Sequence, residues 1–135
     1  MIKFHDVKVG DYVMATFDGD THQGEVTQLQ KDQKLALIDA GAQEFWHSME
    51  DLHGIPLDDN QLMKLKFTKE ENADGSVKYK KGAFRMLLPV KDDFSKMEIW
   101  YRDERRHIME PLSVHQLQNH FHDMTKVHLN DETFQ

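Results

Sequence analysis

Short strand-like segments separated by turn signals recur about every ten residues through the first third of the chain. They mix β-branched, aromatic and other apolar residues and cover residues 11–17, 22–30, 34–39 and 43–49. Gly24 interrupts the second segment and is predicted to mark a bulge or bend. Four or five short strands at this spacing favour a small bent sheet or an SH3-like β-barrel over residues 1–54.

The pattern changes over residues 55–135, which are predicted to form a helix, several antiparallel strands and a second helix. Asp74-Gly75, between two strand-like stretches, is the strongest hairpin signal in the chain. The first helix is predicted to begin at Asp58 or Asp59 and to turn Leu62, Met63, Leu65 and Phe67 inward. Further strands are expected at 83–90, 97–101 and 106–112, and the last helix at about 113–126, with Ser113 as its cap.

The predicted strands of the first half are apolar on more than one face. Val13, Ala15 and Phe17 alternate with Tyr12 and Met14. A free barrel needs only one apolar face, so the second face is expected to pack against the rest of the chain. The sequence therefore predicts an α+β fold in which both parts form one integrated domain.

The composition excludes several classes of protein. The 135 residues include no cysteine, which excludes disulfides, thiolate metal sites and cysteine nucleophiles and favours a reducing compartment. The polar N-terminal segment lacks a signal-like apolar run, and the longest apolar runs are too short to span a bilayer. We therefore expect a soluble cytoplasmic protein without a membrane partner.

Charge is distributed unevenly along the chain. Residues 1–57 carry four lysines against ten carboxylates, whereas residues 58–135 carry thirteen Lys and Arg against fourteen carboxylates. Nucleic-acid binding draws most of its affinity from neutralised phosphates, so the acidic first half disfavours nucleic acid as a partner. Any anion site is expected in the second half.

The last predicted helix contains several histidines, in the stretch SVHQLQNHFHDM. Its apolar residues recur every three or four positions and predict one side packed on a core: Val114, Leu117, Phe121 and Met124. His115 and His122 lie about 10 Å apart along the axis. No histidine pair has the i, i+4 spacing that chelates one ion, so no metal site is predicted. The polar side is interpreted as a candidate interaction surface formed by His115, Gln118, Asn119 and His122.

Catalytic motifs are absent from the sequence. The glycines form neither a GxGxxG pattern nor a P-loop, and no serine lies in a GxSxG turn. Adjacent carboxylates such as Asp92-Asp93 fall in predicted turns, where charges are usually solvated. We therefore expect no enzymatic activity and no cofactor, with an enzyme or metalloprotein site assembled in space as an alternative.

The segment WYRDERRH combines aromatic rings with guanidinium groups, which single-stranded nucleic acid or a phosphorylated partner would use. Its candidate interaction residues are Trp100, Tyr101, Arg102, Arg105 and Arg106. The favoured alternative is a hairpin in which Asp103 and Glu104 neutralise the arginines and the rings fill the core.

Phe45 and Trp46 raise a similar question in the first half. Adjacent strand residues face opposite ways, so one fills the barrel and the other points outward. An outward Trp46 is a candidate recognition residue, as in SH3-like modules that bind peptides. Burial beneath the second half of the chain is the favoured expectation.

Three segments resemble a family of small uncharacterised bacterial proteins often found among prophage and mobile-element genes. The segments, in order, are Val9-Gly10-Asp11 with Val13, Ile55-Pro56-Leu57 with Leu62, Leu65 and Phe67, and Val114–Asn119 with Phe121. This chain has Lys66 where the family has a glycine before the phenylalanine. The resemblance implies a bacterial or phage origin and the same architecture, but no activity, cofactor or binding residue.

Three functions remain open from the sequence. The first is a non-enzymatic accessory or interaction protein that acts through a protein partner or as a homo-oligomer. The second is a nucleic-acid-associated factor of a mobile element that uses the Trp100–Arg106 segment. The third is the enzyme or metalloprotein with a spatially assembled site.

Overall fold

A computed structural model describes residues 2–129 as two compact units. The first comprises the chain up to Ile55 together with Ser113–Asn119, and the second comprises Pro56–Leu112 together with the chain from His120 onward. The final helix, Val114–Thr125, therefore contributes its first half to one unit and its second half to the other. The sequence had assigned that helix wholly to residues 55–135. The expectation of one integrated domain stays a prediction.

The first unit contains a five-stranded antiparallel sheet with strand order β4-β3-β2-β1-β5. The strands are β1 (Tyr12–Phe17), β2 (Asp20–Gln30), β3 (Leu35–Asp39), β4 (Glu44–Ser48) and β5 (Leu52–His53). A 3₁₀ turn precedes β1 at Phe4–Asp6, and another connects β4 to β5 at Met49–Asp51. The four longer strands match the sequence prediction closely, because the turns that separate them are marked by glycine and polar residues.

Gly24 is not the bulge that the sequence predicted. It pairs regularly with Val13, and the register shift lies between Val26 and Gln28. A Cβ at position 24 would lie 2.5 Å from the Ile38 Cγ2 atom and 2.8 Å from the Asp39 carbonyl oxygen. Glycine is therefore required here by the close approach of β3. The predicted bend at this position stays a prediction.

The first sheet is strongly curved. Phe17 on β1 and Phe45 on β4 stack with ring centroids 5.0 Å apart, although two strands separate them in the sheet. In a flat sheet, three strand spacings would place them about 14 Å apart. The concave side encloses a core of small and branched side chains: Ile2, Val7, Val13, Ala15, Val26, Ala36, Ile38, Met49 and Leu52.

The second unit contains another five-stranded antiparallel sheet, with strand order β10-β9-β8-β7-β6. The strands are β6 (Thr68–Glu71), β7 (Val77–Lys81), β8 (Phe84–Leu88), β9 (Met97–Tyr101) and β10 (Glu104–Ile108). Each is joined to the next by a hairpin, including the predicted turn at Asp74-Gly75. Two antiparallel sheets with helices confirm the α+β class.

Helix α1 (Asp59–Lys64) begins where the sequence predicted, because the Asp58 carboxylate accepts a hydrogen bond from the Gln61 N–H at 2.9 Å. It ends in a Schellman motif: the Phe67 N–H donates to the Leu62 carbonyl and the Lys66 N–H to the Met63 carbonyl. Lys66 accordingly has a left-handed φ of +68°. Leu62, Leu65 and Phe67 are buried as predicted, whereas Met63 is 39% exposed and its predicted inward position is wrong.

Helix α2 (Val114–Thr125) buries the predicted apolar stripe of Val114, Leu117, Phe121 and Met124. Within the second unit, the Phe121 ring lies 4.9 Å from that of Phe84, which in turn lies 6.2 Å from Phe67. These rings connect the second half of α2 to one face of the second sheet. At the start of α2, the Gln116 side chain accepts hydrogen bonds from both the N–H and the hydroxyl of Ser113.

Candidate functional site

Two stacked phenylalanines are exposed in the first unit. Phe17 is 54% exposed and Phe45 39% exposed, and their ring planes differ by only 9°. The Phe17 ring also meets the imidazole of His47 edge-on at 6.3 Å. His47 is buried, and burial lowers the pKa of its imidazole, which favours the neutral form. Phe17 therefore contacts an uncharged ring.

Three exposed carboxylates are neighbours of this aromatic pair in sequence or in the strand register: Asp18, Asp20 and Glu44. By register Asp20 shares the sheet face of Phe17, whereas Glu44 lies on the same face of β4 as Trp46. Asp18 follows Phe17 in the β1–β2 turn, Asp20 is the cross-strand partner of Phe17, and Glu44 precedes Phe45. Within residues 2–129, none of the three forms an ion pair. We call these five residues the aromatic–acidic rim.

Sequence reasoning treated Phe17 as one face of a core strand and missed this rim. The sequence does indicate that Phe17 lies at the end of its strand, because Asp18-Gly19-Asp20 follow it directly. Its contact with Phe45, by contrast, arises from the curvature of the sheet, which the sequence pattern does not encode.

Trp46 lies on the opposite face of β4 from Phe45. Its cross-strand partner is Leu37, and it is 47% exposed. The expectation that one ring would fill the barrel and the outward one would be buried is therefore wrong, since both Phe45 and Trp46 are exposed. The reason is the position of β4 at an edge of the sheet, where side chains have a neighbouring strand on one side only.

The polar side of α2 is used inside the first unit. The side-chain amide of Gln118 accepts a hydrogen bond from the Tyr12 N–H at 2.7 Å and donates to the Gly10 carbonyl at 2.9 Å. The amide of Asn119 donates to the Asp6 carbonyl at 2.9 Å. Gln118 is only 5% exposed, so this part of the predicted interaction surface has a structural role.

His115 is buried in the same unit, next to Gly54. Its Nδ1 atom lies 3.0 Å from the Ser113 hydroxyl, and a Cβ at Gly54 would lie 3.3 Å from its Cε1 atom. Burial lowers the pKa of this imidazole, which favours the neutral form. His115 is therefore a packed core histidine and not a surface ligand.

Asp11 is the buried carboxylate of this region, at 3% exposure. It accepts a hydrogen bond from the Lys8 N–H at 2.9 Å and a longer one from the Asn119 amide at 3.4 Å. Burial outweighs these hydrogen bonds and raises its pKa from 3.8 to about 7. The N-terminal loop and α2 are thus held together around a group that titrates near neutrality.

His122 is the one member of the predicted helical surface that is exposed. Its ring stacks on that of His128 at a centroid distance of 4.4 Å. Residues 2–129 contain no group of three or more His, Asp and Glu side chains arranged to hold a metal ion.

The arginines of the Trp100–Arg106 segment point to different faces of the second sheet. Arg106 shares a face with buried Ile99 and donates to Glu104 and to Asp123 at 2.7 Å. It also donates to the Nδ1 atom of His120 at 2.8 Å, which makes that imidazole neutral. Burial, followed by the charge of Arg106, lowers the pKa of His120.

Arg105 shares the other face with Trp100. Its guanidinium lies 5.0 Å from the Trp100 ring centroid and pairs with the Glu98 carboxylate at 2.5 Å. Arg102, in the β9–β10 turn, lies 5.0 Å from the ring centroid of its neighbour Tyr101. Of the neutralising partners expected from the sequence, Glu104 pairs with Arg106, but Asp103 forms no ion pair within the described residues. Trp100 and Tyr101 are half-buried instead of filling the core.

Comparisons with protein-family models, with curated proteins and with solved structures found no match to this chain. Among residues 2–129, no helix is both long and apolar enough to cross a membrane.

Proposed function

We propose that this protein is a non-enzymatic interaction module whose aromatic–acidic rim binds a Lys- or Arg-containing segment of a protein partner. The observation that carries the proposal is the exposed Phe17–Phe45 stack, with the exposed carboxylate of Asp20 opposite Phe17 in the strand register. Two further exposed carboxylates, Asp18 and Glu44, adjoin the two rings in sequence. Contiguous exposed apolar surface is typical of sites that contact a ligand or partner, and here two aromatic rings form one continuous surface.

The charge of the rim selects a cationic partner. A Lys or Arg side chain over an aromatic ring gains about 0.5–1 kcal/mol at an exposed site. Carboxylates beside the rings add charge complementarity, which steers association and excludes acidic segments. The net charge of −6 over residues 1–57 extends the attraction beyond direct contact.

The first unit is proposed to be an SH3-like barrel, a scaffold that presents peptide-binding surfaces between its loops. Three features support this proposal: the strand order β4-β3-β2-β1-β5, the 3₁₀ turn between β4 and β5, and the contact of Phe17 with Phe45 across the sheet. In such a barrel, the rim would lie where strands β1 and β4 approach each other.

Peptide titration tests this function directly. Fluorescence anisotropy would compare a labelled Arg-Gly repeat peptide with a Glu-Gly peptide of the same length. The Arg-Gly peptide is expected to bind and to dissociate as salt is raised, whereas the Glu-Gly peptide is expected not to bind. Phe17→Ser and Phe45→Ser should each weaken binding by about two- to fivefold, a loss of about 0.5–1 kcal/mol.

Matched controls are available on exposed apolar residues elsewhere. Val90 and Met109 are 56% and 73% exposed, and Val90→Ser and Met109→Ser should leave binding unchanged. The triple variant Asp18→Asn/Asp20→Asn/Glu44→Gln keeps the rings and should weaken binding and reduce its salt dependence. Equal binding by all variants, or equal binding of both peptides, would overturn the proposal. A concentration-dependent dimer that Phe17→Ser dissociates would instead assign the rim to self-association.

A further inference from the structure

One face of the second sheet carries alternating cations and a tryptophan. Side chains alternate along each strand: Val77, Tyr79, Met86 and Ile99 are buried on one face, and the residues between them point to the other. Cross-strand register places one continuous row on that second face: Thr68, Lys80, Arg85, Trp100 and Arg105. A second row, described next, lies beside it on the same face. We call the two rows together the basic platform.

The adjacent row follows from the same register two residues along each strand. It consists of Glu70, Lys78, Leu87, Glu98 and His107. The two rows together hold four Lys and Arg side chains and two carboxylates, an excess of two positive charges on a chain of net charge −7. Cationic side chains are thus concentrated here against the overall charge of the protein.

The carboxylates leave part of this positive charge unpaired. Glu70 pairs with Lys80 at 2.9 Å, and Glu98 pairs with Arg105. Arg85 donates only to the backbone carbonyls of Gly82 and Phe84, and neither Arg85 nor Lys78 forms an ion pair within residues 2–129. Arg85 lies directly beside Trp100 in the row, so a guanidinium without an ion pair among the described residues borders the indole ring.

We propose that the basic platform binds single-stranded nucleic acid. Bases stack on aromatic rings and on guanidinium planes, and the phosphates between them are neutralised by Lys and Arg. Trp100 with Arg105 over its ring supplies the stacking surface, while Arg85 on β8 and Lys80 and Lys78 on β7 are available to the phosphates across two neighbouring strands. The row from Lys80 to Arg105 extends about 14 Å across the sheet.

The platform differs from the aromatic–acidic rim in residues, in unit and in charge, so it does not depend on the function proposed above. It also differs from the Trp100–Arg106 segment considered in the sequence analysis. Arg106 faces the other side and is occupied by Glu104, Asp123 and His120. The other cations of the platform, Lys78, Lys80 and Arg85, lie on β7 and β8, outside the Trp100–Arg106 segment.

Tryptophan fluorescence gives a direct readout, because the chain has only Trp46 and Trp100. The Trp46→Phe variant leaves Trp100 as the sole reporter, and a single-stranded oligothymidine is expected to quench its emission on binding. Three neutralised phosphates predict a slope of about −2 in log affinity against log salt, or about 20-fold weaker binding between about 50 and 200 mM salt. The Lys80→Gln/Arg85→Gln variant should reduce that slope to about −0.7.

The double variant Lys31→Gln/Lys34→Gln is the matched control. It removes the same charge from the exposed β2–β3 turn of the first unit, and it should leave both affinity and slope unchanged. Lys78→Gln provides a second platform variant without backbone contacts of its own, in case Arg85→Gln disturbs the Gly82 turn. Circular dichroism would establish that each variant is folded.

Three results would overturn the proposal. One is the absence of Trp100 quenching at low salt. Another is equal weakening by the platform and control variants, which would indicate non-specific attraction. The third is equal quenching by a polyglutamate peptide at matched charge, which would assign the platform to acidic proteins and remove the role of base stacking.

Discussion

Gln118 bonds to the main chain on both sides of Asp11, 106 and 108 residues away in sequence, through the Tyr12 N–H and the Gly10 carbonyl. One side-chain amide thus makes the pair of hydrogen bonds that a neighbouring strand residue would make at the entrance to β1. The polar side of α2 therefore recognises the protein's own backbone. This accounts for the VHQLQN stretch without a ligand.

Replacing Gln118 should destabilise the protein substantially. Gln118→Ala removes both hydrogen bonds and leaves the Tyr12 N–H without its partner, at an expected cost of about 2–4 kcal/mol. Gln118→Glu retains the acceptor but buries a carboxyl group against the Gly10 carbonyl oxygen, so it should cost at least as much as Gln118→Ala. Urea denaturation would measure the free energy of unfolding, with exposed Gln33→Ala as a control expected near zero. A Gln118→Ala value equal to that of the control would refute the structural role.

The buried carboxylate of Asp11 should make stability fall as pH rises. Its pKa is raised to about 7 in the folded state, so between about pH 4 and 7 the folded protein holds a proton that the unfolded chain has lost. Over this range, each pH unit lowers the Asp11 contribution to the free energy of unfolding by about 1.4 kcal/mol. Asp11→Asn has no such charge, so its stability relative to wild type should increase by about 3 kcal/mol between pH 5 and pH 8.

The quantity to measure for Asp11 is the free energy of unfolding of Asp11→Asn minus that of wild type at each pH. Burial lowers the pKa of His47, His115 and His120, so their contribution is lost as pH falls below about 6.5, in the opposite direction. These histidines are present in both proteins and cancel in the difference. A difference that stays constant from pH 5 to 8 would show that Asp11 titrates normally.

Local patterns allowed much of the fold to be predicted. The strands β1 to β4 were predicted from the turn residues between them, and one hairpin of the second sheet from Asp74-Gly75. The start of α1 was predicted from Asp58, and α2 from the spacing of its apolar residues. Each of these signals acts between residues close in sequence. The bulge, assigned to Gly24 instead of Val26 and Gln28, was missed because it depends on how β3 approaches β2.

The candidate sites were much less predictable, because they depend on contacts distant in sequence. Gln118 and Asn119 were interpreted as surface residues because their partners, Gly10, Tyr12 and Asp6, lie more than one hundred residues away. Phe17 meets Phe45 only through sheet curvature. Strand alternation alone predicts that Arg105 and Arg106 face opposite ways. Predicting their partners, Glu98 and His120, would have needed the register of the sheet and the position of the helix.

Lys66 occupies a position that glycine should fill better. It has a φ of +68° directly after α1, a conformation that costs a non-glycine residue about 1 kcal/mol. Lys66→Gly should therefore raise the free energy of unfolding by about 0.5–1 kcal/mol. Lys64→Gly, within the last turn of α1, provides the contrast and should lower it by about the same amount. Thermal denaturation of the two variants should move in opposite directions.

Gly24 should not tolerate even one methyl group. Gly24→Ala would bring its Cβ against the Ile38 side chain and the Asp39 carbonyl oxygen, and the backbone atom cannot move without shifting β3. The expected cost is about 2–3 kcal/mol. Gly19→Asn, in an open turn position that asparagine accepts, should cost less than about 1 kcal/mol. Comparable losses in denaturant titrations of the two variants would contradict the close approach.

The Arg106–His120 contact predicts a visible histidine titration. The Arg106 charge and burial together depress the pKa of His120, so Arg106→Gln should raise that pKa. Proton NMR of the imidazole Cε1–H would follow it, with exposed Arg102→Gln leaving His120 unchanged. Because the charged form is disfavoured in the folded state, the contribution of His120 to stability should be lost as pH drops below about 6.5. An unshifted His120 titration in wild type would exclude this contact.

Helix α2 completes the first unit from the far end of the chain. Residues 2–55 lack Gln118 and Asn119 until positions 113–119 have been synthesised. During translation, the N-terminal sheet therefore lacks the hydrogen bonds of Gln118 to Tyr12 and Gly10 until residues 113–119 have left the ribosome. Premature termination upstream of Gln118 would release a nascent chain with an incomplete first unit, a natural substrate for chaperones and proteases.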